Sequence, residues 1–435
     1  MLERIIDEQL VAWRNADKKQ PLLVRGARQI GKTTSIRQLG GDYESYIEVN
    51  FLEKPDFKNI FSGNLDVDTL IMNFSVYMPE ADFIESKTLL FLDEIQECPE
   101  AITSLKFFNE DGRFDVIASG SMLGIDYKRP TSYPVGAITY LDMYPMTFEE
   151  FLWACNISHK TIEELRRHFT DRTKISDAIN DKMFEYFRLY MVIGGMPQVV
   201  NSYVNDKNIH KCYKIQETIL KDYRYDIAHY APASDKIKAE RCYDSIPKQL
   251  SKRNHKFQYS VVEKGGNARK YKTSLDWLIG AYLVVMCYNT ERMVVPLKSR
   301  LIDNDFRLYA SDIGLTTAMY GLSVKTSIIS DDFGMGNGTI KGDIYEAAIA
   351  DVLYKNGRDK LYFRKTENGS FEIEFLVDSN EGVVPVEVKA KNSRSKSLDN
   401  ALKKDNIPYG YKLITGNIGQ VGKKITIPLY MAMFI

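Results

Sequence analysis

The segment Gly26-Ala27-Arg28-Gln29-Ile30-Gly31-Lys32-Thr33 restricts what this chain of 435 residues can fold into more than any other stretch. Its pattern, G-x-x-x-x-G-K-[ST], has a physical use only on a turn between a strand and a helix, where backbone N–H groups and the helix N-terminus converge on an anion. The flanks supply that setting. Leu22 to Arg25 reads as a buried strand and Thr34 to Leu39 as the helix leading out. The glycines let the backbone approach a phosphate closely, Lys32 is placed for the β and γ phosphates, and the Thr33 hydroxyl for one coordination position of Mg²⁺. Gly26 through Thr34 are therefore the expected nucleotide contacts, with ATP and Mg²⁺ as cofactors.

A second motif supplies the other half of such a site. Thr88-Leu89-Leu90-Phe91-Leu92 is an apolar strand that ends in Asp93-Glu94. Asp93 is expected to hold Mg²⁺ through water and Glu94 to orient or deprotonate the attacking water. Lys32 and Glu94 are thus the catalytic candidates. A further strand, Phe114 to Ala118, runs into Ser119-Gly120-Ser121, where Ser119 is the first candidate for sensing the γ-phosphate and Ser121 the second.

From Pro21 to Cys155 short apolar runs alternate with amphipathic stretches: Leu22 to Val24, Tyr46 to Phe51, Thr88 to Leu92, Phe114 to Ala118 and Ala137 to Leu141 read as strands of a mainly parallel α/β sheet. Thr161 to about Asp235 is helical, broken at Gly194-Gly195-Met196-Pro197. Residues 235 to 275 are the most basic part of the middle. Beyond Phe333 to Gly338 an amphipathic helix, Asp343 to Tyr354, precedes strands at Leu361 to Lys365, Phe371 to Asp378 and Val383 to Lys391. The expected domains are 1–155, 156–235, 236–332 and 333–435.

Lys plus Arg equals Asp plus Glu at 58 each, so attraction for nucleic acid must come from local patches. The five cysteines have no zinc-binding spacing, and the longest apolar run, Leu278 to Tyr288, is too short to span a bilayer. A cytoplasmic chain that makes no membrane contact is expected.

The motifs together resemble a family of bacterial and archaeal AAA-superfamily ATPases that join an ATPase core to a C-terminal domain of unknown function. The resemblance covers almost the whole chain. It rests on Gly26 to Thr33, Leu92-Asp93-Glu94-Ile95-Gln96, Ser119-Gly120-Ser121, Tyr144 to Phe151, Gly194 to Pro197, Asp312-Ile313-Gly314-Leu315 and Val386-Glu387-Val388-Lys389. It implies an AAA-type sheet, a helical and winged-helix-like middle, and a C-terminal domain similar to the PD-(D/E)xK nucleases, of restriction-endonuclease-like α/β fold. Many relatives carry an arginine just after the glycine where this chain has Gly136-Ala137. Arg113 and Arg129 are candidates for an arginine finger by position alone.

Within the basic middle, Tyr259 to Val262 and Asn267 to Leu278 read as the second and third helices of a winged helix. Arg269, Lys270 and Lys272 at the start of the latter suit contacts to double-stranded DNA, or form an ordinary solvated face. In the C-terminal region a four-residue loop from Ser379 to Gly382 would place Glu374 opposite Glu387 and Glu372 opposite Lys389. Like charges opposed in a sheet are unfavourable unless a cation or proton sits between them. In the nuclease reading, Glu374 and Glu387 bind Mg²⁺, Lys389 positions the water and Glu346 supports the metal shell. The other reading is an exposed polar face.

The expected function is a Mg-dependent ATPase whose nucleotide state controls a DNA-associated C-terminal module. The alternatives are an ATP-gated protein-interaction switch on a degenerate nuclease-like scaffold, and an ATP-dependent nuclease. Self-association or a protein partner stays open.

Overall fold

In a computed structural model the apolar runs of the first third become one parallel sheet. The structure describes residues 2–120, 134–252, 255–334, 338–358, 360–390 and 394–435. The chain divides into two compact units, Met1–Tyr144 with Gly280–Tyr282, and Pro145–Ile279 with Leu283–Ile435.

The first unit runs α1 (Ile5–Arg14), β1 (Leu22–Arg25), α2 (Lys32–Gly40), β2 (Ser45–Asn50), α3 (Val67–Tyr77), β3 (Thr88–Asp93), α4 (Pro99–Asp111), β4 (Asp115–Gly120) and β5 (Thr139–Asp142). Its five strands lie in the order β2-β3-β4-β1-β5, and every pairing is parallel. Every residue of β3 is buried. A central strand needs apolar side chains on both faces, which is why Leu89 to Leu92 shows no alternation. Parallel order puts the C-terminal ends of β1, β3 and β4 at one edge, and with them the phosphate loop, Asp93 and Ser119. Ser121 and Arg129 lie outside the described residues. Arg113, just before β4, is tied to Asp111 and Asp68.

The second unit begins with α5 (Phe148–Ala154), α6 (His159–Asp171), α7 (Asp177–Ile193), α8 (Pro197–Asp206) and α9 (Ile209–Tyr230). The predicted break is real: α7 stops at Ile193 and α8 starts at Pro197. Close packing accounts for the glycines there. A Cβ on Gly194 (φ +74°) would lie 2.3 Å from Asp312 Oδ1, and one on Gly195 2.1 Å from the Met146 carbonyl oxygen. Asp312 accepts from the Gly195 N–H at 2.6 Å and pairs with the buried Lys355 at 3.0 Å. The Gly194 and Asp312 motifs therefore meet at one buried spot.

Next come α10 (Lys236–Asp244), α11 (Ile246–Leu250), α12 (Tyr259–Val262), α13 (Ala268–Gly280), β6 (Val284–Thr290), β7 (Leu301–Ala310), α14 (Ile313–Tyr320), α15 (Leu322–Ser330) and α16 (Gly338–Lys355). The chain ends with β8 (Leu361–Lys365), β9 (Glu372–Ser379), β10 (Gly382–Val388), α17 (Lys396–Ala401), β11 (Gly410–Ile414), β12 (Gly419–Val421) and β13 (Lys424–Pro428). Eight strands form one mixed sheet, β12-β13-β11-β10-β9-β8-β6-β7. The β6–β7 hairpin of the basic middle joins this sheet, with β6 parallel to β8. The β9–β10 hairpin has the expected register, Phe375 opposite Val386, but Ser379 pairs with Gly382, so the turn is the two residues Asn380 and Glu381. The ladder with β10 stops at Phe375 opposite Val386, short of Glu372 and Lys389. Glu372 registers with Lys365 in β8 and pairs with Lys365 and Arg307, because β9 continues past the end of β10. Arg253 and Lys391 lie outside the described residues.

Candidate functional site: a phosphate loop and a buried carboxylate cluster

Strand β1 delivers the chain into Gly26, whose φ of +151° and surroundings admit no side chain. A Cβ there would lie 2.2 Å from the Met143 carbonyl oxygen and 2.6 Å from Ile30 Cδ1. Gly31, at φ +98°, turns the loop into α2. Lys32 opens that helix and is 9% exposed. Its ammonium donates to the carbonyl oxygens of Gly26 at 3.0 Å and Ala27 at 2.7 Å. Burial pulls its pKa down to about 8, against the opposing pull of Glu94 and Asp93. A buried cation satisfied only by neutral carbonyls gains from an incoming polyanion.

Asp93 is the hub of the same edge. Its Oδ2 accepts from the Thr33 hydroxyl at 3.0 Å and from Asn50 Nδ2 at 3.2 Å. Its Oδ1 accepts from the Glu94 N–H at 3.0 Å and from the Ser119 hydroxyl. Thr33 and Asp93, sixty positions apart, thus present a hydroxyl and a carboxylate side by side, the hard oxygen donors that suit Mg²⁺ bound chiefly through phosphates and water. Glu94 sits at φ +53°, accepts a hydrogen bond from Gln96 Nε2 and lies 3.9 Å from an Arg28 nitrogen. Its carboxylate stays partly exposed, as an acceptor for a water proton must be. The predicted residues Gly26 through Thr34, Asp93, Glu94 and Ser119 therefore share one edge of one unit. Sequence reasoning missed Asn50. Its signal was the end of the strand Tyr46 to Phe51, since Asn50 registers directly against Asp93.

On α13, Arg269, Lys270 and Lys272 are exposed. Lys270 is partly neutralised by Glu263 at 2.6 Å, and Arg241 lies 3.6 Å from the same carboxylate.

The C-terminal carboxylates converge, but on cations of the protein itself. Lys389 Nζ lies 3.1 Å from Glu374 and 2.9 Å from Glu387. The second oxygen of Glu387 accepts from the Leu398 N–H at 3.3 Å. Glu346 is held by three protein donors: Oε1 accepts from Arg307 at 2.6 Å and Tyr309 at 2.6 Å, while Oε2 meets His255 Nδ1 at 2.9 Å. The other ring nitrogen of His255 lies 2.9 Å from Asp343. With a carboxylate on each nitrogen the ring is an imidazolium; burial opposes its charge, but Glu346 and Asp343 push its pKa up to about 10. Burial by itself would raise the pKa of Glu346, yet Arg307 and His255 hold it well below the usual carboxylate range. Glu374 goes the other way. Burial, with Glu387 and Glu346 adding to it against Lys389, pushes it up to about 7, and its Oε2 is buried without a hydrogen bond.

This set does not fit a divalent cation. Three of the four lone pairs of Glu346 are taken by Arg307, Tyr309 and His255, and an ammonium already lies between the other two carboxylates. Among the described residues no group of three or more His, Cys, Asp or Glu side chains is arranged to hold a metal ion. The exposed-face reading of the sequence also fails, since Glu387 is 3% exposed and Arg307 is fully buried.

Among the described residues no helix is long and apolar enough to cross a membrane. Residues 18–152 match the family model of an AAA domain. Residues 184–326 and 341–431 match two domains of unknown function, DUF8612 and DUF4143. No curated protein matches the chain. Among solved structures, the Walker-type ATPase PABY2304 of Pyrococcus abyssi is similar at 12% identity over 74% of this chain and 96% of that one, with a TM-score of 0.43. The ORC1 protein of Aeropyrum pernix in complex with DNA matches at 12% identity over 74% and 92%, TM-score 0.29. The Hsp104–ADP complex of S. cerevisiae matches at 12% over 80% and 43%, TM-score 0.28. With the phosphate loop and its strand-end carboxylates on a parallel sheet in the stretch that the AAA family model covers, residues 18–152 form an AAA-type P-loop ATPase domain.

Proposed function

We propose that the protein is a cytoplasmic Mg-dependent ATPase in which residues 1–155 work on the segments 156–235, 236–332 and 333–435. The observation that carries this reading is the Thr33–Asp93 contact beside Lys32. ATP would draw the Lys32 ammonium from the Gly26 and Ala27 carbonyls onto its β and γ phosphates, while loop N–H groups surround the phosphate oxygens. Mg²⁺ held by Thr33 and Asp93 would neutralise charge developing on those oxygens. Glu94 would accept a proton from the attacking water, and the Ser119 hydroxyl, which donates to Asp93, would register the γ-phosphate. Phosphate release tests this directly. Lys32→Ala should lose ATP binding, and Glu94→Gln should keep ATP and fail to turn it over; unchanged turnover in both variants sinks the reading.

For the C-terminal region the three protein donors on Glu346 and the Lys389 ammonium between Glu374 and Glu387 favour a module that binds and does not cut, with Arg269, Lys270 and Lys272 of the segment 236–332 as the contacts to double-stranded DNA; the alternative is an ATP-gated switch for a protein partner. Cleavage of plasmid by the parent protein with Mg²⁺ or Mn²⁺, lost in Lys389→Ala, would restore the nuclease reading. DNA affinity unchanged when the three charges are reversed removes α13 from any DNA interface.

A further inference from the structure

We infer that Arg4 is a positioning residue of the nucleotide site, which fixes the phosphate loop in its anion-receiving form before any nucleotide arrives. The inference rests on the ATPase reading above and assigns it a residue far outside the motif.

Arg4 precedes α1 and is 6% exposed. Its guanidinium spans two backbone carbonyls: Nη1 donates to Ile30 at 2.8 Å and Nη2 to Tyr144 at 2.8 Å. Ile30 is the last variable residue of the loop, just before Gly31 and Lys32. In a trans peptide the carbonyl oxygen and the following N–H point in opposite directions. A guanidinium that holds the Ile30 oxygen on one side therefore turns the Gly31 N–H to the other, into the hollow of the loop.

The second carbonyl makes this more than a surface tie. Tyr144 follows Met143, whose own carbonyl oxygen lies against Gly26 and whose N–H donates to Arg25 at 2.8 Å. The two ends of the loop thus bear on the same two residues, Gly26 by direct packing on Met143 and Ile30 through Arg4 to Tyr144. The planar fork of arginine can fix two carbonyls in one plane, and an ammonium, a point charge, cannot. Burial makes the arrangement rigid, because a guanidinium that lost either carbonyl would be left short of acceptors out of reach of water.

Arg4 should therefore act on the phosphates of the ligand and not on its nucleoside. Arg4→Lys and Arg4→Met should weaken binding of ATP and of inorganic triphosphate by the same factor, about tenfold or more, read by displacement of a fluorescent ATP analogue. The kcat at saturating ATP should change much less than KM. Thermal melting of the ligand-free variants separates a folding defect, which Arg4→Lys should largely relieve without restoring affinity. If both variants fold poorly, the full-length parent decides: inorganic triphosphate should shift the Gly31 amide resonance while the Arg4 guanidinium signals stay in place. Wild-type affinity in the variants, weakening for ATP without weakening for triphosphate, or a Gly31 amide indifferent to triphosphate overturns the inference alone. A parent that binds neither ligand overturns the ATPase reading and this inference with it.

Discussion

Two acidic clusters in this protein use the same kinds of side chain and balance them by opposite means. At the phosphate loop Asp93 is held by neutral donors, the hydroxyls of Thr33 and Ser119 and the amide of Asn50, and the nearby cation Lys32 is parked on neutral carbonyls. Each of those bonds can be exchanged for a bond to a ligand at small cost, since a neutral hydrogen bond is worth about 1 kcal/mol net. In the second unit Glu346, Glu374 and Glu387 are held by Arg307, His255 and Lys389. Removing one ion of a buried pair leaves the other uncompensated, which costs about 3–5 kcal/mol. On the proposed ATPase reading the first cluster exchanges partners and the second keeps them.

The sharpest test of that contrast is Arg307→Gln. It should destabilise the second unit by about 3–5 kcal/mol in denaturant unfolding, whereas Thr33→Ala should cost about 1 kcal/mol or less and show its effect in Mg-dependent ATP binding. Similar costs for the two would erase the distinction.

His255→Asn should come next in size, and its effect should depend on pH. The imidazolium has a folded pKa near 10 against an ordinary value of 6.5. Its contribution is complete below pH 6.5 and is lost as pH rises through 10. The difference in melting temperature between parent and variant should shrink from pH 7 toward pH 10; a constant difference would mean that the ring acts by shape alone.

Lys32 at the other cluster has its pKa shifted the opposite way. Its pKa before nucleotide binding is near 8, and a bound triphosphate favours the charged form. ATP affinity should be flat below pH 8 and weaken above it by up to about tenfold per pH unit, until the pKa of the complex is reached. Titration calorimetry at pH 7, 8 and 9 reads this, and flat affinity would mean that Lys32 binds nucleotide without a change in proton affinity. The smallest effect is expected for Asn50→Ala, where loss of one neutral donor to Asp93 should raise KM for ATP about threefold to fivefold and leave stability nearly unchanged.

The phosphate loop was legible because anion binding imposes its own glycine spacing whatever the rest of the chain does. Asp93 and Glu94 were legible because an apolar strand ending in two carboxylates has few other uses. Register on β9–β10 could be read from alternation, although the turn proved shorter than expected. The partners Arg4, Arg307 and His255 were not legible, since they lie dozens of positions from the groups they hold and leave no local periodicity. Helix α16 shows the limit. Asp343, Glu346, Asp351 and Lys355 look like a solvated face, yet all four are buried, with His255, Arg307 and Asp312 from other parts of the fold as counter-charges and Asp351 paired to Lys355 within the helix. Sequence pattern distinguishes polar from apolar, and cannot separate a charge facing water from a charge facing another charge.

The ladder between β6 and β8 bears on how such a chain can be inherited. Its two strands lie in stretches that match two different family models, residues 184–326 and 341–431. The gap between those stretches looks like a seam along the chain, but in space the parallel ladder that sets Cys287 beside Leu361 crosses it. Either stretch shuffled alone into another gene would expose a raw strand edge, an invitation to aggregate. The two are therefore expected to travel as one cassette, and a recombination point is tolerable only before the first of them or after the second.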